Sequence, residues 1–307
     1  MFDTYLDILQ SRGLAWFYGV TLGGGILLTL FTGWMWWHYS YLNPQTVFWG
    51  AVNNNLIIDG VTKRTQRKDN SGVRDRYDQI SLGAPNLVKS VETISQNQAA
   101  QDKNVIVSET IGTPEVNFNR YTKIETTTKT PDGKLPDFSK VVNQWSKQEL
   151  GKETSGAFAD AIFDVIPFAH LNAQQRHDVL NTMKHDETYK VDFDAVGKTR
   201  KNGRLYYDYN VSIAPDKYIT ILKQIDGAMG LNQLKSLDPA QYQGGGLVEI
   251  KVTIDAHAHQ LESISYVGSD NTQTYSAWGV RRNPVLPTST ISMADLQAKL
   301  NAVVNGQ

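Results

Sequence analysis

The chain has no cysteine, which excludes a disulfide framework, a thiolate metal site, an iron–sulfur cluster and a cysteine nucleophile. It also lacks an excess of either charge, with 30 basic residues against 31 acidic ones in 307 and a net charge of -1. Nucleic-acid binders carry a clearly basic footprint, so no nucleic-acid partner is expected. Hydrophobic residues make up 40% and charged residues 20%, the balance of a globular chain and not of a disordered one. Sequence signatures of catalysis are missing too. There is no Gly-x-Ser-x-Gly elbow, no Gly-x-x-x-x-Gly-Lys-Ser/Thr loop and no His-Glu-x-x-His pair. Gly244-Gly-Gly246 precedes a strand pattern instead of a helix and reads as a flexible linker. The expectation is a protein that is not an enzyme and holds no cofactor.

Charge is absent locally as well. From Gly13 to Tyr41 there is no Lys, Arg, Asp or Glu. A membrane helix needs roughly 20 apolar residues, and Trp16 to Trp37 at about 1.5 Å per residue spans roughly 32 Å, close to the hydrocarbon thickness. Aromatic side chains mark both ends, Trp16, Phe17 and Tyr18 on one side and Trp34, Trp36, Trp37, Tyr39 and Tyr41 on the other. Such rings settle at the headgroup level, which assigns Trp16, Trp34, Trp36 and Trp37 to the membrane interfaces. A cleaved signal peptide would show a basic start, a shorter apolar core and a small-residue cleavage site. Here the start carries Asp3 and Asp7 against Arg12 and aromatics fill the cleavage zone, so 13–41 is expected to stay as a single-pass anchor. Arg12 lies beside it, and the far side has no Lys or Arg before Lys63. The positive-inside rule then puts residues 1–12 in the cytoplasm and the rest outside the cell membrane, with the bilayer itself as a partner. Gly19 and Gly23 form a small-residue face through which two such helices could associate, although glycine is common in membrane helices generally.

Beyond the anchor, Asn43-Pro44 reads as an N-cap with proline at the first helical position, opening a juxtamembrane helix within 42–58. The remaining 59–307 form the extracytoplasmic domain. β-Prone runs recur at Asn104–Ile111 and Val116–Thr127. The mixed charges of Lys63–Asp78 suggest a solvated edge strand. Helical spacing is expected over Phe138–Glu149 and Ser155–Ile166, and Asn172-Ala-Gln-Gln175 is a capping-box pattern opening a third helix to Lys184. Leu205–Ile213, Leu247–Asp255 and Tyr189–Ala195 alternate with period two, as strands with one dry face do. Pro215–Ile225 is a helix with Tyr218, Ile219, Leu222 and Ile225 on one face. A tight connection at Asp255–Gln260 leads to a strand at Leu261–Val267, and Ser292–Val304 closes the chain as an amphipathic helix. Runs of strands separated from runs of helices indicate an α+β fold, a curved antiparallel sheet covered by helices.

The stretch from Tyr189 to Tyr266 is similar to the LolA/LppX-like half-barrel lipoproteins. The residues that carry the resemblance are Ala214-Pro-Asp-Lys-Tyr-Ile-Thr-Ile-Leu-Lys223, Gly245-Gly-Leu-Val-Glu-Ile-Lys-Val-Thr-Ile-Asp255 and Gln260-Leu-Glu-Ser-Ile-Ser-Tyr266. The resemblance implies an incomplete antiparallel barrel closed over helices, with an apolar cavity for acyl chains. Many relatives are tethered by a lipidated N-terminal cysteine; this chain has none, and the helix at 13–41 would take its place. The implied cavity lining is the dry face of Tyr207, Tyr209, Val211, Ile213, Val248, Ile250, Val252 and Ile254, with Ile219 and Leu222 from the helix. The leading expectation is therefore a carrier or sensor of a hydrophobic ligand. The alternative gives the same residues a closed core and makes the domain a non-catalytic envelope-assembly or adhesion module. A hydrolase built on the acidic and histidine residues is the remaining reading. His257 and His259 sit in a turn without a third ligand at a diagnostic spacing, so no metal site is assigned. Asp160 and Asp164, four apart on a helix, repel unless a cation or a lysine neutralises them.

Overall fold

Alternating runs become strands when one face can be kept dry, and they do so here in a computed structural model that describes residues 25–70, 72–98, 102–151 and 156–306. The chain divides into two compact units, Met1–Val47 and Phe48–Gln307.

In the first unit residues 25–36 are α-helical and Trp37–Tyr41 form a π-helical turn. Leu27, Leu28 and Leu30 are each more than 60% exposed, and Phe31, Trp34, Trp36 and Tyr39 are exposed with them. Helix α1 (Pro44–Asn55) begins as expected, with the Asn43 side-chain oxygen accepting the Gln45 N–H at 3.0 Å. Among the described residues no helix is long and apolar enough to cross a membrane. Residues 1–24, with Trp16, Gly19, Gly23 and the first part of the expected span, lie outside the described residues.

The second unit carries a 13-stranded sheet. Its strands are β1 (Gly60–Asp69), β2 (Gly72–Ser81), β3 (Leu87–Gln98), β4 (Asp102–Gly112), β5 (Val116–Thr126), β6 (Ser146–Glu149), β7 (Tyr189–Val191), β8 (Gly197–Lys201), β9 (Arg204–Ile213), β10 (Val248–Asp255), β11 (Gln260–Tyr266), β12 (Asn271–Ser276) and β13 (Ile291–Ser292). The order is β13-β6-β5-β4-β3-β2-β1-β12-β11-β10-β9-β7, with β8 also on β9. Every pairing is antiparallel except β13 with β6, and β13 and β7 end the path without meeting, so the large curved sheet stays open. Besides the part of α1 from Phe48 onward, the described residues add helices α2 (Ala157–Ile162), α3 (Ala173–His185), α4 (Pro215–Ala228) and α5 (Met293–Val304). The α+β class with a curved antiparallel sheet thus stands.

Several elements differ from expectation, each for a local reason. The charged stretch is two strands, β1 and β2, in the middle of the sheet, because β12 pairs β1 on one side and β2 on the other (Lys63↔Tyr275, Lys63↔Asp78). The helix expected at Phe138–Glu149 is a turn followed by β6; Asn143 adopts φ 62° and donates its N–H to the Tyr121 carbonyl, which breaks helical hydrogen bonding. The helix expected from Ser155 shortens to α2. The strand at Tyr189 stops at Val191, because the Asp192 carboxylate caps a turn through the N–H groups of Asp194 and Ala195. The capping box does form: Asn172 accepts from Gln175 N at 2.9 Å, and Gln175 from Asn172 N at 3.0 Å.

Candidate ligand-binding site

Cross-strand register puts a single set of residues on the face that α2 covers. One row runs Tyr209–Val252–Ile264–Gln273–Thr65–Arg76–Glu92–Ser108–Tyr121, each residue directly paired with the next. Read along it, the face is apolar on β9–β11, polar and charged on β12–β3, and aromatic at β5. Close approach of α2 needs a strand residue without a side chain. A Cβ on Gly112 would lie 3.0 Å from the Ala157 Cβ and from the Phe158 backbone nitrogen.

The first zone holds the residues expected to line a cavity. Tyr207, Tyr209, Val211, Ile213, Ile250, Val252 and Ile254 are all buried, as is Leu222 on α4. Phe48 packs tilted or edge-on against Tyr209 and Tyr189 at 5.4 and 6.0 Å between ring centroids. This zone is filled core. Val248 falls outside it, at the exposed start of β10. Ile219 is half-buried, since the buried stripe of α4 is Ile221, Leu222 and Ile225.

The second zone is a buried charge network. Lys63, 4% exposed, donates to Asp164 Oδ2 at 2.9 Å and to the Ala161 carbonyl at 3.0 Å, with Asp78 at 3.9 Å. The lysine that the Asp160/Asp164 pair required is therefore Lys63. Gln273 donates to Asp164 Oδ1 at 3.1 Å, Tyr275 donates to Gln273 at 2.7 Å, and Arg76 donates to Asp78 at 2.7 Å. The Tyr218 hydroxyl donates to the Asp164 carbonyl. Burial, reinforced by the Asp164 charge, pushes the phenols of Tyr218, Tyr266 and Tyr275 up. Burial also raises the Asp160 carboxyl, against the pull of Arg76 and Lys63. A recess of about 250 Å³ opens over this network and is lined by Lys63, Arg76, Glu92, Asp160 and Gln273 among others.

The third zone contains an apolar pouch of about 400 Å³ between β3–β5 and α5. Ile106, Tyr121, Ile124, Phe138, Leu300 and Val304 line it together with polar residues that include Gln96, Glu125 and Lys129. Ile106 and Ile124 are directly paired across β4 and β5 and are only half-buried, so they present apolar surface to the space. Helix α5 is held in place by a capping box between Ser292 and Asp295, and by Lys299 donating to Gln144 at 2.8 Å. None of the pouch residues belongs to the expected lining. His257 and His259 sit in a turn closed by Asp255, and among the described residues no cluster of three or more metal-ligating side chains occurs.

The fold is similar to those of two mycobacterial proteins. LprF from Mycobacterium bovis aligns at 12% identity and a TM-score of 0.38, over 80% of this chain and 97% of that one. The Mycobacterium tuberculosis lipoprotein LppX aligns at 13% identity and a TM-score of 0.34, over the same shares. No family model and no curated protein matches the chain.

Proposed function

We propose that this chain is a non-catalytic, single-pass membrane-anchored protein whose extracytoplasmic domain binds a hydrophobic ligand in the pouch between β3–β5 and α5. The observation that carries the reading is the pouch itself. Its volume of about 400 Å³ lies in the range of small-molecule sites, and the surface it exposes inside is mainly apolar although polar residues also line it. Burial of Tyr209, Val211, Ile250, Val252 and Ile254 favours the pouch, on the opposite half of the same face, over the strands that resemble the half-barrel lipoproteins. The exposed apolar side chains of 25–36 and the uncharged run that precedes them support the anchor, with residues 1–12 cytoplasmic.

The test uses full-length protein in a detergent-free amphipathic polymer, with tritiated laurate as probe. Saturable binding is expected, and Ile106→Glu should weaken it at least about tenfold, because an unpaired charge would then face the apolar chain. Ile106 is half-buried, so the variant should keep the wild-type melting temperature. Saturable binding untouched by Ile106→Glu would move the ligand site out of the pouch, and absence of saturable binding would leave the assembly or adhesion module as the reading. Resistance of the protein to alkaline extraction from membranes tests the anchor separately.

A further inference from the structure

A second row on the same face runs Arg67–Arg74–Ile94–Ile106–Ile124, again with every residue directly paired to the next across β1, β2, β3, β4 and β5. With strands about 4.8 Å apart the row is roughly 19 Å long, two guanidiniums at one end and three isoleucines at the other. Arg67, Arg74 and Ile94 line one recess, Ile106 and Ile124 line the pouch, and Gln96 lines both, so the two spaces adjoin. The face is thus polarised along a line, charged head to apolar tail.

The arginine end is built at a cost that an anion would offset. Two like charges directly opposite each other on antiparallel strands repel. Carboxylates compensate them poorly: Arg67 approaches Asp69 only to 3.9 Å, and Arg74 reaches Glu92 at 3.3 Å. Both side chains stay more than half exposed, at 63% and 55%. Glu92 is itself paired across the strands with Arg76, whose cation it shares. Lys63 and Arg76, deeper in the face, already have Asp164 and Asp78. What remains at the surface is a pair of forked donors of the geometry that grips carboxylate or phosphate oxygens.

We propose that the ligand is a single-chain amphiphile with an anionic head, a carboxylate or a phosphate, held by Arg67 and Arg74 while its tail lies over Ile94, Ile106 and Ile124 into the pouch. This rests on the pouch being the ligand site, and the experiment separates the two ideas. Laurate, lauryl phosphate and lauryl alcohol share one tail and differ in the head. Each is titrated against the full-length protein, the Arg67→Gln/Arg74→Gln double variant and Ile106→Glu. In the double variant laurate and lauryl phosphate should each lose about tenfold or more in affinity, the worth of one charge-assisted hydrogen bond, while lauryl alcohol stays unchanged. In Ile106→Glu all three should weaken together. Whichever anion binds the wild type more tightly identifies the head group as carboxylate or phosphate. Anion affinities that survive the double variant, or that fall in step with the alcohol, overturn the arginine assignment and leave the pouch standing. Failure of all three to bind the wild type overturns both. Removing two exposed like charges leaves the core untouched, so an unchanged melting temperature of the double variant is the folding control.

Discussion

At the scale of single residues, the most exacting side chain is Lys63. Its ammonium is buried beside Asp164 and Asp78, and removing one member of a buried ion group leaves an uncompensated charge. Lys63→Met should therefore destabilise the protein by about 3–5 kcal/mol in urea unfolding, and Lys63→Met/Asp164→Leu should recover most of that loss. A cost below about 1 kcal/mol for the single variant would mean that water reaches these charges. Glu109 behaves differently. It lies on the opposite face between Lys89, at 2.8 Å, and Arg120. Burial pushes its carboxyl up, but hydrogen bonds from Lys89 and Arg120 outweigh this and hold it below its ordinary 4.5. A carboxylate depressed in the folded state adds stability that is complete above its ordinary value and is lost as pH falls through the lowered one. Stability should thus decline below about pH 4.5, and Glu109→Gln should flatten that acid limb; an identical pH profile in the variant would show that other carboxylates set it. Lys63 also marks the limit of what the sequence reveals. A lysine in a run of mixed charge looks solvated, because its partner Asp164 lies 101 positions away.

At the scale of elements, legibility followed the contrast between faces. Strands β9, β10 and β11 were readable because apolar and polar residues alternate in them and one face is dry. β1 and β2 were legible as a strand but not as central ones, since the inward face of each carries charge, Lys63 and Arg67 on one and Asp78 and Arg76 on the other. Six-residue β12, Asn-Thr-Gln-Thr-Tyr-Ser, offers almost no apolar signal and was missed, although it joins the two halves of the sheet. The pouch escaped for the opposite reason. Val105-Ile106-Val107 of β4 is apolar on both faces, so periodicity cannot say which side chain points inward. Helix starts were more readable, because capping is local: Asn43, Asn172 and Pro215 each stand where the sequence put them. For α5 the cap has a functional consequence. The helix buries only Leu296 fully, yet Leu300 and Val304 wall the pouch. Ser292→Ala should cost about 1 kcal/mol of helix stability and loosen this wall. Hydrogen exchange across 293–304 should accelerate, and laurate should dissociate faster. Faster exchange with an unaltered dissociation rate would mean that the ligand does not rely on α5.

At the scale of the whole sheet, the decisive contact is β1 with β12, from Thr62↔Ser276 to Arg67↔Asn271. Without it the strands would form two separate sheets, β2 to β5 following β1 on one side and β9 to β11 on the other, each with a bare edge. With it, the partners are more than 200 positions apart in sequence, and closing that loop is an entropic cost the contacts must exceed before either half gains from the other. Such long-range pairing forms slowly and, once made, couples what it joins. The buried network adds to the coupling, because Lys63 of β1 and Gln273 of β12 both bind Asp164, between α2 and α3. The second unit should consequently unfold as a single cooperative body. Native-state hydrogen exchange under mild denaturant is the measurement: the most protected amides of β3–β5 and those of β9–β11 should converge on one opening free energy. Should β3–β5 open at clearly lower free energy while β9–β11 stay protected, the pouch would belong to a separately unfolding half. Its ligand would then bind against a local equilibrium, and saturating laurate would raise protection in β3–β5 and α5 while leaving β9–β11 unchanged.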